Sequence, residues 1–162
     1  MGVTTLRPWL GTAGRLLLGA VWIVAGTSKI GDLAASGRAV NAYELLPVAA
    51  GRALGAGLPF IELMIGALLL MGLATRLAAV LSTALLAAFT AAIASVWARG
   101  LSIDCGCFGG GGALAAGQHP AYGWEIARDV ALLLVAVFVA IWSETRLSLD
   151  ARLTGKVHEQ AA

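Results

Sequence analysis

The residues of this chain that could do chemistry are concentrated in the segment Asp104–Gly109, which reads DCGCFG. Cys105 and Cys107 are the two cysteines of the 162-residue sequence, and they lie in a Gly-rich break between two long apolar runs. Residues two apart reach about 7 Å between their α-carbons in an extended chain, whereas a disulfide needs about 4.4–6.8 Å. A bond between the two thiols therefore requires a bend at Gly106, which glycine permits.

Such a bond would suit an exchange reaction better than a structural role. A loop this short removes little entropy from the unfolded chain, and a strained, exposed disulfide is labile. Asp104, next to the pair, should disfavour the thiolate by like-charge repulsion, yet it could also accept or relay a proton. Arg99, Arg128 and the amino end of the following helix could counter the repulsion by favouring the thiolate. We therefore predict Cys105, Cys107 and Asp104 as catalytic residues.

Two other interpretations of the pair stay open. The first is a pair of free structural thiols packed at a helix end. The second is a metal site made by Cys105 and Cys107 with His119 or Asp104. Zinc sites usually separate their cysteines by about two to four residues, so the closer spacing here makes chelation by both thiols awkward, and we predict no metal.

The composition indicates a membrane protein. The chain is 59% hydrophobic and 12% charged, whereas a soluble domain carries about 25% charged residues, so the apolar excess must face lipid. The basic residues are scattered, which gives no sign of nucleic-acid binding. Four apolar windows have the length of about 20 residues that a membrane helix needs: 10–30, 54–73, 77–97 and 122–142.

These windows predict an all-α fold, a single domain over residues 1–162 built as a bundle of four transmembrane helices, because four segments cannot close a barrel. The short turn Ala74–Arg76 makes the second and third helices an antiparallel hairpin. A short interfacial helix is expected over Arg38–Leu46, and Pro47 with the stretch Gly51–Gly57 should break the chain before the second helix. A redox loop at 99–121 and a polar tail at 143–162 complete the chain. The first window could instead be a signal peptide.

Four spans place both termini on one side of the membrane. That side carries six of the 11 basic residues, a weak positive-inside signal, and the tail is polar. We therefore expect a multi-pass protein of the cell membrane with cytoplasmic termini. The cysteine loop would then face the extracytoplasmic, oxidising side, where disulfides persist.

Several charged residues fall inside the predicted spans, where charges are costly and often functional. Lys29 and Glu62 lie on the same predicted side, so they could form a structural ion pair, or they could line a small-molecule pocket or a proton path. Arg128 and Asp129 lie near the start of the last helix. Glu125 and Arg128 are three residues apart, which is a spacing that lets them pair.

Several local patterns now converge: Ala25–Lys29, Tyr43–Pro47, Leu58–Leu63, Arg99–Gly100, Asp104–Gly109 and Arg128–Asp129. In this order and spacing, the chain resembles the MauE family, within the wider DoxX-like group of four-helix membrane proteins. The resemblance covers roughly residues 10–142 and is carried most specifically by the Cys-Gly-Cys-Phe-Gly motif together with the patterns in the first two spans.

The resemblance implies a protein that assists disulfide formation in exported proteins beside a thioredoxin-fold partner, DsbA-like or MauD-like. The architecture is also similar to the vitamin K epoxide reductase and DsbB type of bundle, which passes electrons to quinone. This similarity implies a thiol–disulfide oxidoreductase, with menaquinone or ubiquinone held near Lys29, Glu62 and Arg128. Those enzymes use two cysteine pairs, whereas this chain has one.

Two further functions are considered. A non-enzymatic membrane scaffold, or a metal-binding protein that aids the maturation of exported proteins, is the principal alternative. A transporter is less favoured, since four spans with few intramembrane charges leave little room for a path unless the protein forms a homo-oligomer. Membrane lipid is an expected partner in every case.

Overall fold

The structure is a computed structural model that describes residues 3–109, 111–114 and 118–142. Its elements are α1 (Val3–Ile30), α2 (Leu33–Ala42), α3 (Val48–Met71), α4 (Thr75–Ala98), β1 (Ile103–Asp104), β2 (Gly112–Ala113) and α5 (Tyr122–Ile141). The two short strands pair in antiparallel register, with Ile103 opposite Ala113. The predicted all-α class is confirmed. The predicted polar tail at 143–162 lies outside the described residues.

The four long helices α1, α3, α4 and α5 correspond to the four apolar windows, but α3 begins earlier than predicted. It starts at Val48 and continues through Gly51–Gly57 without interruption. The expected break there is wrong, because these glycines allow α3 to approach α2. A Cβ atom added to Gly55 would lie 2.5 Å from the carbonyl oxygen of Ser36. Small residues that permit close backbone approach are typical of helix contacts in membranes.

The short second helix is present, but at Leu33–Ala42 it begins and ends earlier in the chain than the expected Arg38–Leu46. The Asp32 carboxylate caps its first turn by accepting a hydrogen bond of 2.8 Å from the N–H of Ala35. The predicted hairpin of α3 and α4 is confirmed. Gly72 ends α3 in the left-handed conformation, with φ +67°, which glycine adopts without a side-chain clash.

The long helices run antiparallel in pairs. Close contacts join α1 to α3, where Gly19 of α1 approaches the carbonyl oxygen of Gly66 and the side chain of Leu70. The buried Trp22 of α1 donates a hydrogen bond of 2.9 Å from its indole N–H to the hydroxyl of Ser82 on α4. The amino-terminal part of α1 lies beside the end of α5, since the Arg7 guanidinium is 5.9 Å from the ring centroid of Trp142.

Arg15 of α1 is buried, although it carries a positive charge. Its guanidinium donates hydrogen bonds of 2.8 Å and 3.3 Å to the carbonyl oxygens of Leu69 and Leu70. These two carbonyls belong to the last turn of α3, where backbone acceptors lack partners within the helix. Arg15 therefore caps α3 and ties α1 into the folded bundle.

Three of the described helices are long and apolar enough to cross a membrane: Arg7–Ile30, Val48–Met71 and Thr75–Ala98. The fourth predicted span falls on α5, whose composition differs because Glu125, Arg128 and Asp129 lie in its first half. Large apolar side chains such as Phe60 and Leu77 are exposed on the outside of the bundle. An apolar surface of this kind is typical of contact with lipid.

Candidate active site

The cysteines lie on a tight loop between α4 and α5. After β1, the chain bends at Gly106, whose φ of +67° confirms the predicted bend between the two cysteines. Both thiols are free and partly exposed. The backbone N–H of Cys107 points back to the sulfur of Cys105 at 3.5 Å, so the bend brings the two residues into direct contact.

Two tyrosines fix this loop to the helices. The Tyr43 hydroxyl, just beyond the end of α2, donates a hydrogen bond of 2.8 Å to the carbonyl oxygen of Cys105. The Tyr122 hydroxyl, at the start of α5, donates to the carbonyl oxygen of Leu101 at 2.7 Å and accepts from the N–H of Ile103 at 2.8 Å. The position of the thiols is therefore set by α2 and α5 together.

Asp104 organises the loop from within. One carboxylate oxygen accepts from the N–H of Gly106 and the other from the N–H of Gly111, each at 3.3 Å. On the far side of the loop, Gly109 packs against the end of α1, where an added Cβ would lie 3.1 Å from the carbonyl oxygen of Ser28. The described contacts of Asp104 are thus structural, and its predicted part in proton transfer stays a prediction.

The two thiols differ in acidity. The Cys107 thiol donates a hydrogen bond to the sulfur of Cys105, which lowers the pKa of Cys105 below its ordinary value against the opposing effect of burial. The same hydrogen bond, together with burial, raises the pKa of Cys107. Cys105 is therefore the more acidic thiol of the reduced pair, and Cys107 is the less acidic one. Sequence alone gave no basis for this assignment.

Glu125, in the first turn of α5, faces Cys105. The ligand atoms of Asp104, Cys105 and Glu125 all lie within 4.8 Å of one another, and Glu125 Oε2 is buried without a hydrogen-bond partner among the described residues. The predicted pairing of Glu125 with Arg128 is wrong. Arg128 instead donates to Asp129 Oδ1 at 2.8 Å, and its guanidinium lies 4.8 Å from the ring centroid of Phe108.

The same three groups do not make a good metal site. Both oxygens of Asp104 already accept backbone hydrogen bonds, which leaves one thiol and one carboxylate, fewer than the three or four protein ligands of a zinc site. Neither His119 nor Cys107, the ligands considered from the sequence, belongs to this group.

An apolar cavity of about 320 Å³ lies between α2, α3 and α4 and ends at the cysteine loop. Cys105, Cys107 and Lys29 line it, together with apolar and aromatic side chains such as Leu58 and Phe89. The structure therefore brings the predicted pocket residue Lys29 to the same cavity as both thiols.

The other two predicted pocket residues occupy different positions. Glu62 lies behind Lys29, and its Oε1 is 2.6 Å from Lys29 Nζ; their side chains are 0% and 6% exposed. The predicted ion pair is thus present and fully enclosed. Arg128 is not among the residues that line the cavity, since it lies beside Phe108 on α5.

Comparison with known proteins gives one result. The model of a family described as methylamine utilisation protein MauE matches residues 7–143. No curated protein and no solved structure matches the chain significantly. Because the family match covers most of the sequence, including the cysteine loop and all the helices that surround it, the chain belongs to the MauE family.

Proposed function

We propose that this MauE-family membrane protein is a thiol–disulfide oxidoreductase, which exchanges disulfides through Cys105 and Cys107 with an exported thioredoxin-fold protein. The observation that carries the proposal is the contact of two free thiols of unequal acidity at the end of an apolar cavity. A structural pair of thiols would need neither the difference in acidity nor the cavity.

The exchange begins with the oxidised pair and a reduced partner. A partner thiolate attacks Cys107 and breaks the Cys105–Cys107 bond, because the more acidic thiol, Cys105, is the better leaving group. The partner's second thiolate then attacks the partner sulfur of the mixed disulfide. The partner leaves with its own disulfide, and the two electrons remain on Cys105 and Cys107 as thiols.

A lipid-soluble quinone in the cavity is the proposed electron acceptor, ubiquinone or menaquinone. Two thiols and one quinone give one disulfide and one quinol, so electrons and protons balance. The cavity volume of about 320 Å³ lies in the range of small-molecule sites. Lys29 can donate a hydrogen bond to a quinone carbonyl, and Glu62 balances its charge. Arg128 is not needed for this arrangement.

The proposal includes four spans, with α5 as the fourth. Its 20 residues extend about 30 Å, and Leu134 on its outer face is 64% exposed. The charged first half of α5 lies beside the cysteine loop, at the proposed extracytoplasmic surface. Arg128 and Asp129 neutralise each other there. Both termini would then be cytoplasmic.

The test combines trapping with a redox assay on the full-length protein in lipid nanodiscs. When the oxidised thioredoxin-fold partner is supplied, Cys105→Ser should accumulate a mixed disulfide at Cys107, because Cys107 opens the partner's disulfide and the Cys105 thiol that would release the partner is absent; Cys107→Ser should accumulate less. The wild-type protein should reduce a short-chain ubiquinone or menaquinone when supplied with the reduced partner. Thiol alkylation, read as a mass shift, reports the state of the pair.

Two outcomes would contradict the proposal. The first is a pair that stays reduced under oxidant and traps no partner in either single variant. The second is full support of exported-protein maturation by the variant with both cysteines changed to Ser, which would favour the scaffold.

A further inference from the structure

Glu125 has a position that the exchange reaction, as described so far, does not use. A carboxylate oxygen of Glu125 and the Cys105 sulfur lie within 4.8 Å of each other, and a side-chain hydrogen bond between the two groups opposes the lowering of the pKa of Cys105. Its Oε2 is buried and accepts no hydrogen bond from the described residues. A buried acceptor without a partner is costly, and this oxygen can accept a hydrogen bond from the Cys105 thiol.

The neighbouring acidic groups are occupied elsewhere. Both oxygens of Asp104 accept N–H groups of the loop, and Asp129 accepts two hydrogen bonds from Arg128. Glu62 is paired with Lys29. Glu62 Oε2 and Asp129 Oδ2 are also buried without a partner among the described residues, but neither residue belongs to the group within 4.8 Å of the Cys105 sulfur. Of the two carboxylates in that group, Glu125 is the one whose oxygens are not both taken by loop N–H groups.

We propose that Glu125 holds the proton of Cys105 in the reduced protein and thereby sets the pH at which the pair becomes reactive and oxidising. Two neighbours then act on Cys105 in opposite directions. Cys107 donates a hydrogen bond that favours the thiolate, whereas the Glu125 charge repels the thiolate. Glu125 acts through Cys105 and is a positioning residue rather than a catalytic one. The inference rests on the proposed function for its biological meaning, but its test does not.

Other charged or titratable groups also surround the cysteine pair, and they are the same in each Glu125 variant and in its parent protein. They are Lys29 of α1, Tyr43 after α2, Asp104 and Cys107 of the loop, and Arg128 and Asp129 of α5.

The first measurement is the pH dependence of Cys105 alkylation by iodoacetamide in the Cys107→Ser background. This background isolates one thiol and keeps a hydroxyl that can donate to it. Glu125→Gln has the shape of the natural side chain without its charge. Removing a negative charge stabilises the thiolate, so the alkylation midpoint should move down by about one pH unit. The matched control, Glu44→Gln, removes the same charge from an exposed position on the α2–α3 link and should leave the midpoint in place.

The second measurement is the redox equilibrium of the Cys105–Cys107 pair against a glutathione buffer. Above the alkylation midpoint, Glu125→Gln should shift the equilibrium toward the dithiol by about tenfold, which is about 30 mV for two electrons. Well below the midpoint both proteins carry a protonated thiol, so the equilibrium should not change. A purely structural role of Glu125 would not produce this dependence on pH.

A midpoint that stays in place or rises in Glu125→Gln overturns the inference, and so does an equal shift in Glu44→Gln. Should Glu125→Gln not fold, Glu125→Asp retains the charge on a shorter stem. In that case the inference predicts an alkylation midpoint close to that of the parent protein with Glu125. A fall of the midpoint by about one pH unit, the shift expected when the charge is removed, overturns the inference. Absence of partner trapping would contradict the proposed function while leaving the midpoint result valid, so the two failures are distinguishable.

Discussion

Gly55 provides a sharp test of how α2 is held against α3. An added Cβ would lie 2.5 Å from the carbonyl oxygen of Ser36 and 2.7 Å from the α-carbon of Gly37. Both are backbone atoms, so no side-chain rotation relieves the clash. Restoring an ordinary contact of at least 3.4 Å requires α2 to move by about 1 Å, and overpacking of this kind costs about 1–3 kcal/mol.

Gly57, two residues further along α3, is the matched control. An added Cβ there meets no atom within 4 Å. Both Gly55→Ala and Gly57→Ala gain the same helix propensity, about 1 kcal/mol. The difference between the two variants therefore isolates the clash, and Gly55→Ala should be less stable than Gly57→Ala by about 1–3 kcal/mol.

Reversible unfolding of the purified variants in mixed detergent micelles measures this difference. The Gly55→Ala variant should also show faster alkylation of Cys105, since α2 carries the chain to Tyr43, which holds the cysteine loop. Equal stability of the two alanine variants would refute the proposed packing of α2 on α3.

Three further predictions concern the site. Lys29→Met or Glu62→Gln alone should lower the free energy of unfolding by about 3–5 kcal/mol, because each change leaves a buried charge or acceptor unpaired. The double variant should be closer to wild type in the same unfolding assay. Additive losses in the double variant would contradict the ion pair. In the reduced wild-type pair, limited alkylation followed by peptide mass mapping should label Cys105 ahead of Cys107, since the hydrogen bond between the two thiols lowers the pKa of Cys105 and raises that of Cys107; the reverse order would contradict the assignment of Cys105 as the more acidic thiol. Tyr43→Phe should cost about 1 kcal/mol of unfolding free energy and increase thiol alkylation, and unchanged alkylation would argue against the tyrosine contact.

The sequence was sufficient for features that depend on local pattern. Long apolar windows located the four long helices, and the need to bring two thiols together located the bend at Gly106. The ion pair of Lys29 and Glu62 was predictable because a buried charge is costly unless a charge of opposite sign pairs with it.

Features that depend on helix contacts were not predictable in this way. A glycine-rich stretch has the same composition in a chain break and in a close helix contact. The prediction of a break at Gly51–Gly57 was therefore wrong, and the stretch belongs to α3. Glu125 was assigned to Arg128 because their spacing fits one helix face, although Asp129 holds Arg128 and the cysteine loop lies over Glu125. Only the fold places that loop there.

The two buried cations of α1 have a consequence for how the protein enters the membrane. Arg15 finds its acceptors at the end of α3, and Lys29 finds its counter-ion, Glu62, on the same helix. Arg15, near the middle of α1, would oppose insertion of the isolated helix by about 3 kcal/mol on translocon scales, whereas Lys29 lies one residue before the helix end. The first helix is therefore a poor insertion signal by itself, and we expect it to remain near the translocon until α3 has been synthesised, so that the two helices partition into lipid as a pair.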